Sequence, residues 1–374
     1  MNNRLTSIGI VILLVTSGLV GFITFGPKII NAPGIIIYVD DDYTSEDPTH
    51  KKTIQAGVNA AFPGDTVYVY SGTYYENVVV NKAIFLTGED KDTTIIDGTG
   101  NRTIHINSDW VKISNFALIN GSNGVYLSGP KMCNITGNNI SSNRYGVQVA
   151  SSKNTIRGNE ISVNDNIGID CYKASDVTIV ENNIHDNNGE GIRVLKSSNN
   201  IIDANNISSN HNYGIKLSDS WNITVQRNNI SFHNDCAIYM SSSWNCTIQE
   251  NDVSFNGNRG IYLHESSNNT VQGNNIYLNP SNGINIAKSH NNNIEANNIF
   301  LNSRCGISIY YYSLYNTIIR NSIYENVHSG IALTSSSMNI ISHNNITLNR
   351  AWGITFGSST KNLVHHNNFI DNHI

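Results

Sequence analysis

The sequence predicts an all-β protein in which short parallel strands wind into a solenoid of about 11 to 13 coils. Two observations carry this prediction. The motif Asn-Asn-Ile, or a close variant, recurs eleven times between positions 138 and 367, and most of the steps are 23 residues long. Most units also contain a glycine followed by two apolar residues in alternate positions, such as Gly191, Ile192 and Val194. A fixed period of this length is typical of a repeat architecture.

Each repeat unit contains three short segments in which apolar and polar residues alternate. The first segment includes the isoleucine of the motif, as in Ile184, the second follows the glycine, and the third includes residues such as Ile179 and Ile202. A period of two predicts strands whose alternate side chains lie on opposite faces. A leucine-rich repeat has a similar period, but its strand is dominated by leucine and a helix often follows. Isoleucine dominates here and no helical periodicity is visible within the unit, which favours the parallel β-solenoid.

Asparagine accounts for 61 of the 374 residues, whereas only 14% of the residues are charged. In ten of the eleven units an asparagine stands five residues after the first residue of the motif, as in Asn187 and Asn210, and His233 is the exception. Asparagine tolerates left-handed backbone, and stacked amides can hydrogen-bond from one strand layer to the next. We therefore expect asparagine ladders to stabilise the bends between strands.

The segment before the repeats is predicted to form a cap. We expect residues 35–110 to form this cap and irregular first coils, and residues 111–374 to form the regular repeats. Residues 53–62 place their apolar side chains on one face of a short helix, with Thr53 as N-cap and Pro63-Gly64 as the stop. Such a helix would cover an open sheet edge. At the other end the sequence stops within a coil, so we expect that the coil frays, that another molecule covers it, including by an end-to-end contact, or that the chain is incomplete.

Residues 1–34 are predicted to form a hydrophobic export anchor and linker. Residues 8–25 contain no charged residue, and a helix of this length spans a bilayer. No A-x-A-like cleavage site follows, which favours an uncleaved anchor over a cleaved signal peptide. We expect an exported protein at the cell surface that is held to the membrane by this helix. A secreted or periplasmic protein is the alternative if the segment is removed.

Net charge and cysteine spacing argue against a nucleic-acid-binding protein and against a disulfide-stabilised one, respectively. The net charge of −5 and the absence of a basic cluster argue against a nucleic-acid-binding protein. The five cysteines are spread over different coils, and the two that share a position, Cys236 and Cys305, would lie about 14 Å apart, too far for a disulfide. We therefore predict no disulfide framework.

Four segments that precede the repeats carry a resemblance to known proteins. They are residues 53–56 (Thr-Ile-Gln-Ala), 63–67 (Pro-Gly-Asp-Thr-Val), 72–78 (Gly-Thr-Tyr-Tyr-Glu-Asn-Val) and 94–98 (Thr-Ile-Ile-Asp-Gly). Together with the repeats they resemble the NosD-like group of carbohydrate-binding and sugar-hydrolase domains in the pectin-lyase-like superfold. The resemblance covers residues 38–374 and implies a right-handed parallel β-helix. It implies less about function, because the superfold includes lyases, hydrolases, epimerases and adhesins.

The strands that follow the glycines present two neighbouring rows of outward side chains. Tyrosines in these rows offer flat faces to sugar rings, and charged side chains offer polar contacts, so we expect this face to bind extracellular or cell-surface polysaccharide. The predicted binding residues are Tyr172, Arg193, Lys216, Tyr239, Tyr262 and Tyr310.

An enzymatic role on the same face, as a polysaccharide (uronate) lyase, hydrolase or epimerase, is an alternative. By resemblance to the lyases of the superfold, Arg193 or Lys216 would remove a proton from a uronate, and Asp170 or Glu190 would hold calcium. Tyr262 and His264 form a second candidate acid–base pair because they lie two residues apart on one face. The sequence has no Gly-His-Gly and no Arg-x-Lys motif, so these departures from the catalytic families favour a binding protein without catalysis.

Two other functions remain open from the sequence. The chain could be a structural or adhesive rod at the cell surface without a ligand, since tyrosine and alternating charges are also ordinary strand surface. The NosD-like resemblance also implies a role in copper-site maturation. Imidazoles in adjacent coils can share a metal ion, and the candidate ligands are His343, His365 and His366.

Overall fold

The computed structural model describes residues 34–373. In this range the fold is a right-handed parallel β-solenoid of about 13 turns of ~23 residues each, which confirms the predicted fold class. The predicted anchor at residues 8–25 lies outside the described residues. Within residues 34–373, no helix combines the length and apolar character needed to span a bilayer.

Three parallel sheets form the walls of the solenoid, and each regular coil contributes one strand to each sheet. Sheet 1 contains 16 strands, which in spatial order are His50–Lys51, Ile36–Val39, Thr66–Val69, Phe85–Gly88, Lys112–Ser114, Asn134–Thr136, Thr155–Arg157, Thr178–Val180, Ile201–Asp203, Thr224–Gln226, Thr247–Gln249, Thr270–Gln272, Asn293–Glu295, Thr317–Ile319, Ile340–Ser342 and Leu363–His365. Sheet 2 contains 14 strands, which are Gly72–Tyr75, Thr94–Asp97, Ala117–Ile119, Asn139–Ser141, Glu160–Ser162, Asn183–His185, Asn206–Ser208, Asn229–Ser231, Asp252–Ser254, Asn275–Tyr277, Asn298–Phe300, Ser322–Tyr324, Asn345–Thr347 and Asn368–Ile370.

Sheet 3 contains 13 strands and carries the predicted binding face. Its strands are Val78–Val80, Arg102–Ile106, Asn123–Ser128, Tyr145–Ala150, Ile169–Tyr172, Ile192–Leu195, Ile215–Ser218, Ile238–Ser241, Ile261–His264, Ile284–Ala287, Ile307–Tyr310, Ile331–Thr334 and Ile354–Gly357. Because the strands pair in parallel and in register, residues at corresponding positions of successive coils form columns along the rod.

The inward side chains of the three sheets meet in one continuous apolar core. In sheet 2, for example, Ile184, Ile207 and Ile230 are fully buried and pair in register with one another. Burying each such side chain contributes about 1.5–3 kcal/mol relative to leaving it in water. The repeated isoleucine of the motif therefore fills the interior of most regular coils.

Asparagine ladders line all three bends, and the sequence predicts one of them. In the predicted ladder, the backbone N–H and the Nδ2 of Asn187 both donate to Oδ1 of Asn210, at 3.1 and 2.9 Å, and Nδ2 also donates to the carbonyl of Ile161. The first asparagine of the motif forms a second ladder of the same kind, as Asn251 and Asn274 show. Each amide therefore pairs backbone groups that burial would otherwise leave without a partner.

The predicted cap helix is present at Ile54–Ala60. The side chain of Thr53 accepts a hydrogen bond from the backbone N–H of Ala56 at 3.2 Å, as expected for an N-cap. Two further partners come from outside the helix. The carboxylate of Glu76 accepts from the first two N–H groups of the helix, and Nζ of Lys82 donates to three carbonyls at its end. The negative charge of Glu76 thus lies at the positive N-terminal end of the helix dipole, and the positive charge of Lys82 lies at its negative C-terminal end.

At the other end of the described chain, the last coil exposes apolar side chains that correspond to buried ones in earlier coils. Phe356, Val364 and Phe369 are 49%, 37% and 48% exposed. The predicted contact of this coil with another molecule stays a prediction.

The glycine that precedes most strands of sheet 3 marks a close approach between coils. A Cβ added at Gly283 would lie 2.5 Å from Cγ2 of Ile299 and 2.8 Å from the carbonyl oxygen of Gly306. In the one regular coil where alanine replaces this glycine, at Ala237, the residue at the same spacing is Val253 rather than isoleucine. Alanine at this position is therefore matched by a smaller neighbour.

We expect Gly283→Ala to lower the free energy of unfolding by about 2–3 kcal/mol, because the methyl group overpacks the contact. Ile299→Val alone should cost about 1 kcal/mol, but in the Gly283→Ala protein it should restore part of the lost stability. Urea denaturation of the four proteins gives the coupling between the two sites. Simple additivity of the two losses would contradict this account.

Candidate functional site

The candidate site lies on the outward face of sheet 3, where the structure forms the column that the sequence predicts. Asp170 pairs in register with Arg193, Arg193 with Lys216, and Lys216 with Tyr239. Tyr262 and then Asn285 continue the column. The predicted residues therefore lie on one surface.

The first part of this column is an ion pair with a buried carboxylate. Nε and Nη2 of Arg193 donate to the two oxygens of Asp170 at 2.9 and 3.0 Å, and Nε2 of Gln148 donates to the same carboxylate at 3.0 Å. The side chain of Asp170 is 1% exposed, against 28% for Arg193. Asp170 is therefore a paired structural carboxylate in this arrangement.

Lys216 has an acidic partner as well. Its Nζ lies 3.2 Å from Oε1 of Glu190 and 5.3 Å from the ring centroid of Tyr213. Both basic side chains that the sequence nominates as catalytic bases are thus already paired with a carboxylate. Among residues 34–373, no group of three or more His, Cys, Asp or Glu side chains is placed to hold a metal ion.

Beyond Lys216 the face is aromatic. The rings of Tyr213 and Tyr239 stack with centroids 4.8 Å apart, and the ring of Tyr262 follows at 5.4 Å from Tyr239 with a tilt of 46°. We call Tyr213, Tyr239 and Tyr262 the tyrosine row. Burial raises the pKa of Tyr213, and the nearby carboxylate of Asp235 raises it further, so its hydroxyl stays protonated at neutral pH.

Several polar side chains surround the last ring of the row. The guanidinium carbon of Arg259 lies 4.6 Å from the ring centroid of Tyr262. On the other side, the hydroxyl of Tyr310 donates to the hydroxyl of Tyr262 at 3.2 Å, and Nδ2 of Asn285 donates to Tyr310 at 3.2 Å. The ring of His264 lies 5.8 Å from that of Tyr262. We call Arg259, Tyr262, His264, Asn285 and Tyr310 the Tyr262 cluster.

The Tyr262 cluster contains most of the unpartnered buried polar atoms in the described chain. Four such side-chain atoms occur in residues 34–373, and three of them are Nε of Arg259, Nδ1 of His264 and Oδ1 of Asn285. Buried polar groups without a partner cost about 1–3 kcal/mol each, so their concentration in one place marks the cluster as a candidate site. Burial, and then the hydrogen bond with Tyr310, raises the pKa of Tyr262, so its hydroxyl is neutral here.

Arg259 is a cation beside this face without a carboxylate partner. It takes part in none of the ion pairs formed by residues 34–373. Sequence analysis missed both Arg259 and Tyr213, because they stand one residue before the bend and outside the alternating pattern of the strand. Their position in the repeat could have identified them, because Tyr213, Cys236 and Arg259 follow one another at intervals of 23 residues.

Two groups of predicted residues lie apart from the cluster. Tyr172 lies in the column of His264 but four coils earlier, and it contacts Lys173 instead, whose Nζ is 5.1 Å from its ring centroid. The candidate copper ligands lie at the far end of sheet 1. The rings of His343 and His366 stack at 5.1 Å, and Nδ1 of His365 lies 2.7 Å from Nδ1 of His366.

Comparisons with known proteins agree with this architecture. Residues 214–369 match the model of the family described as right handed beta helix region, and residues 58–234 match that of the periplasmic copper-binding protein NosD. A segment of 79 residues is 37% identical to a cell surface glycoprotein of Methanothermus fervidus. That match covers 21% of this chain and 13% of the glycoprotein.

Solved structures show the same fold at low sequence identity. The A-module of the mannuronan C-5 epimerase AlgE6 of Azotobacter vinelandii superposes with a TM-score of 0.60 and 14% identity, covering 84% of this chain and 94% of the module. The A-module of AlgE4 from the same organism gives 0.56 and 15%, covering 83% of this chain and 94% of the module. The chain is therefore a right-handed parallel β-helix whose earlier coils are similar to NosD and whose later coils match the general β-helix repeat.

Proposed function

We propose that this protein binds polysaccharide on the outward face of sheet 3, through the tyrosine row and the Tyr262 cluster. The observation that carries the proposal is the position of three unpartnered buried polar atoms beside a row of tyrosine rings. Sugars combine apolar ring faces with hydroxyl groups that donate and accept hydrogen bonds. Aromatic rings suit the first property, and the amide, imidazole and guanidinium groups of the Tyr262 cluster suit the second.

The size of the face also fits a chain of sugars. Tyr213 belongs to the coil of Lys216, and Tyr262 lies two coils further on, which corresponds to about 10 Å at the spacing of parallel strands. Tyr310 extends the face from a coil beyond Asn285. The surface can therefore contact at least two consecutive sugar rings across the strands.

The proposal concerns binding rather than turnover. Arg193 and Lys216 are each held by a carboxylate, and a base engaged in an ion pair is a poor proton acceptor. The similarity to a cell surface glycoprotein and to a periplasmic family model supports an exported protein, and the β-helix neighbours named as mannuronan epimerases support a glycan as ligand. We propose that the protein presents this face at the cell surface, held there by the hydrophobic segment at residues 8–25.

The test is a glycan array probed with the full-length protein and two variants. In Tyr262→Ala, binding should weaken about fivefold to tenfold, since an aromatic contact is worth on the order of 1 kcal/mol. The matched control is Tyr75→Ala, because Tyr75 is 71% exposed on sheet 2, away from this face. Equal binding by both variants, or no binding of any glycan by the unaltered protein, would overturn the proposal and leave a structural rod.

A further inference from the structure

Two exposed tryptophans lie side by side on the bend between sheet 3 and sheet 1. The indole rings of Trp221 and Trp244 stack with centroids 5.4 Å apart and an angle of 9° between their planes. Their side chains belong to adjacent coils, and their backbones pair across the bend. Trp221 is 37% exposed and Trp244 is 43% exposed. This pair is not part of the tyrosine row or the Tyr262 cluster.

The aromatic column stops at both ends of the pair. On one side Ser198 is the in-register partner of Trp221, and Ser175 precedes it. On the other side Ser267 stands 23 residues after Trp244. A serine side chain is too small to cover an indole ring, so each tryptophan has one face against its neighbour and the other without an aromatic partner.

An aromatic column elsewhere on the rod shows the contrast. On sheet 2, Phe300 stacks on Tyr277 at 4.9 Å and on Tyr324 at 5.0 Å, with angles of 5° and 1°. Both faces of Phe300 are therefore covered by rings of this chain, as expected for a column that only stabilises the rod. In the tryptophan pair, by contrast, one face of each indole ring has no aromatic partner.

The surroundings of the pair are polar and carry both signs of charge. Nδ2 of Asn222 donates to Oδ1 of Asn199 at 3.2 Å beside the pair, and Lys196 and Asp219 are exposed in the same coils. The neighbouring residues of the bend column in the described coils are serines, and then His290. A protein interface would need a wider apolar patch, whereas a ligand with a flat apolar face and polar edges needs only this area.

We propose that Trp221 and Trp244 form a second carbohydrate site, in which a neutral hexopyranose ring stacks on the indole pair. The apolar C–H face of the sugar packs on the indole, and its hydroxyl groups reach the amides of Asn199 and Asn222. The positive charge of Lys196 and the negative charge of Asp219 offset each other, so the site favours a neutral sugar over a charged one. This site goes beyond the proposed function, because it uses another surface of the rod and does not depend on Tyr262.

The experiment compares four full-length proteins on one glycan array, namely the unaltered chain, the double variant Trp221→Ala/Trp244→Ala, Trp110→Ala and Tyr262→Ala. Trp110→Ala is the matched control, because Trp110 is 62% exposed and isolated from the pair. We expect a set of neutral glycans whose binding falls at least fivefold in the double variant and is unchanged in Trp110→Ala. The double variant Trp221→Phe/Trp244→Phe keeps aromatic faces on the same bend and should retain most of that binding, which separates loss of stacking from misfolding.

Tryptophan fluorescence gives a second readout with the same glycans. They should change the emission of the Tyr262→Ala protein and leave that of Trp221→Ala/Trp244→Ala unchanged, because the other two of the four tryptophans lie elsewhere. An array pattern that the double tryptophan variant does not alter would overturn this inference, whatever Tyr262→Ala does. If only the double tryptophan variant altered the array pattern, the proposed function would be overturned and this second site would be retained. No glycan bound by the unaltered chain would overturn both.

Discussion

Replacing Asn274 by alanine is expected to lower the free energy of unfolding by about 3–6 kcal/mol, because several buried groups lose their partner at once. Oδ1 of Asn274 accepts from the backbone N–H and from Nδ2 of Asn251, at 2.9 Å each. Its Nδ2 donates to the carbonyls of Ile248 and Gln272. Alanine offers neither the acceptor nor the donor, and Asn274 is fully buried, so water cannot replace them without opening the bend. Urea denaturation followed by circular dichroism measures the loss.

The next residue in the chain provides the control. Asn275 is exposed, and the hydrogen bond of its side chain in the ladder direction is a long one of 3.4 Å, from Nδ2 of Asn298. Asn275→Ala should therefore change the free energy of unfolding by less than about 0.5 kcal/mol, as surface substitutions usually do. If the two alanine variants proved equally stable, the asparagine ladder would not be what holds the bends.

The second large effect concerns pH and the histidine that interrupts the ladder. His233 occupies the position of the ladder asparagine and is 1% exposed. Its Nδ1 accepts from the backbone N–H of Asn210 at 3.1 Å, so Nε2 carries the proton and donates to the carbonyl of Ile207 at 3.1 Å. Burial lowers the pKa of His233 from 6.5 to about 4. The folded protein therefore holds this imidazole neutral.

Because the pKa of His233 is lower in the folded state than in the unfolded state, acid lowers the free energy of unfolding. Above pH 6.5 the ring is neutral in both states and this contribution to stability is fully present. As the pH falls from 6.5 to about 4, only the unfolded chain takes up the proton, and the stability lost reaches about 3 kcal/mol. His233→Asn restores the repeat residue and should remove this part of the pH dependence. Urea midpoints measured between pH 7 and pH 4 report the difference.

Other groups also titrate in that range, so the comparison needs a histidine variant without this burial. His211→Asn serves, because His211 is exposed on a neighbouring coil. It should keep the full acid sensitivity of the unaltered protein. If His233→Asn lost as much stability in acid as His211→Asn does, protonation of His233 would not be the cause.

The repeat made most of the architecture predictable. Isoleucine and glycine recur at fixed positions, so the core of sheet 2 and the column from Asp170 to Tyr262 follow from period and register alone. The ladder of Asn187 and Asn210 was predictable for the same reason. The second ladder, through Asn251 and Asn274, was not predicted, although its asparagine recurs with the same period.

The chemistry of the face was harder to predict, because side-chain pairing depends on directions that a repeat does not specify. Arg193 reaches back to Asp170 and Lys216 reaches back to Glu190, so the two cations that looked free are paired. The hydroxyl of Tyr310 donates a hydrogen bond to the hydroxyl of Tyr262, which lies two coils away. Arg259 stands before the bend, where neither the strand pattern nor the motif assigns a role.

The in-register stacking of the coils also bears on how such a chain can change in evolution. Most regular coils present the same ladders and an isoleucine at the same position to their neighbours, so duplication or deletion of one such 23-residue unit leaves the junctions chemically similar. Each such event lengthens or shortens the rod by about 4.8 Å. Surface residues are free to diverge within a coil, while their distances from other sites change only in whole coils. The spacing between the two proposed binding surfaces on this rod is therefore a heritable quantity that changes in discrete steps.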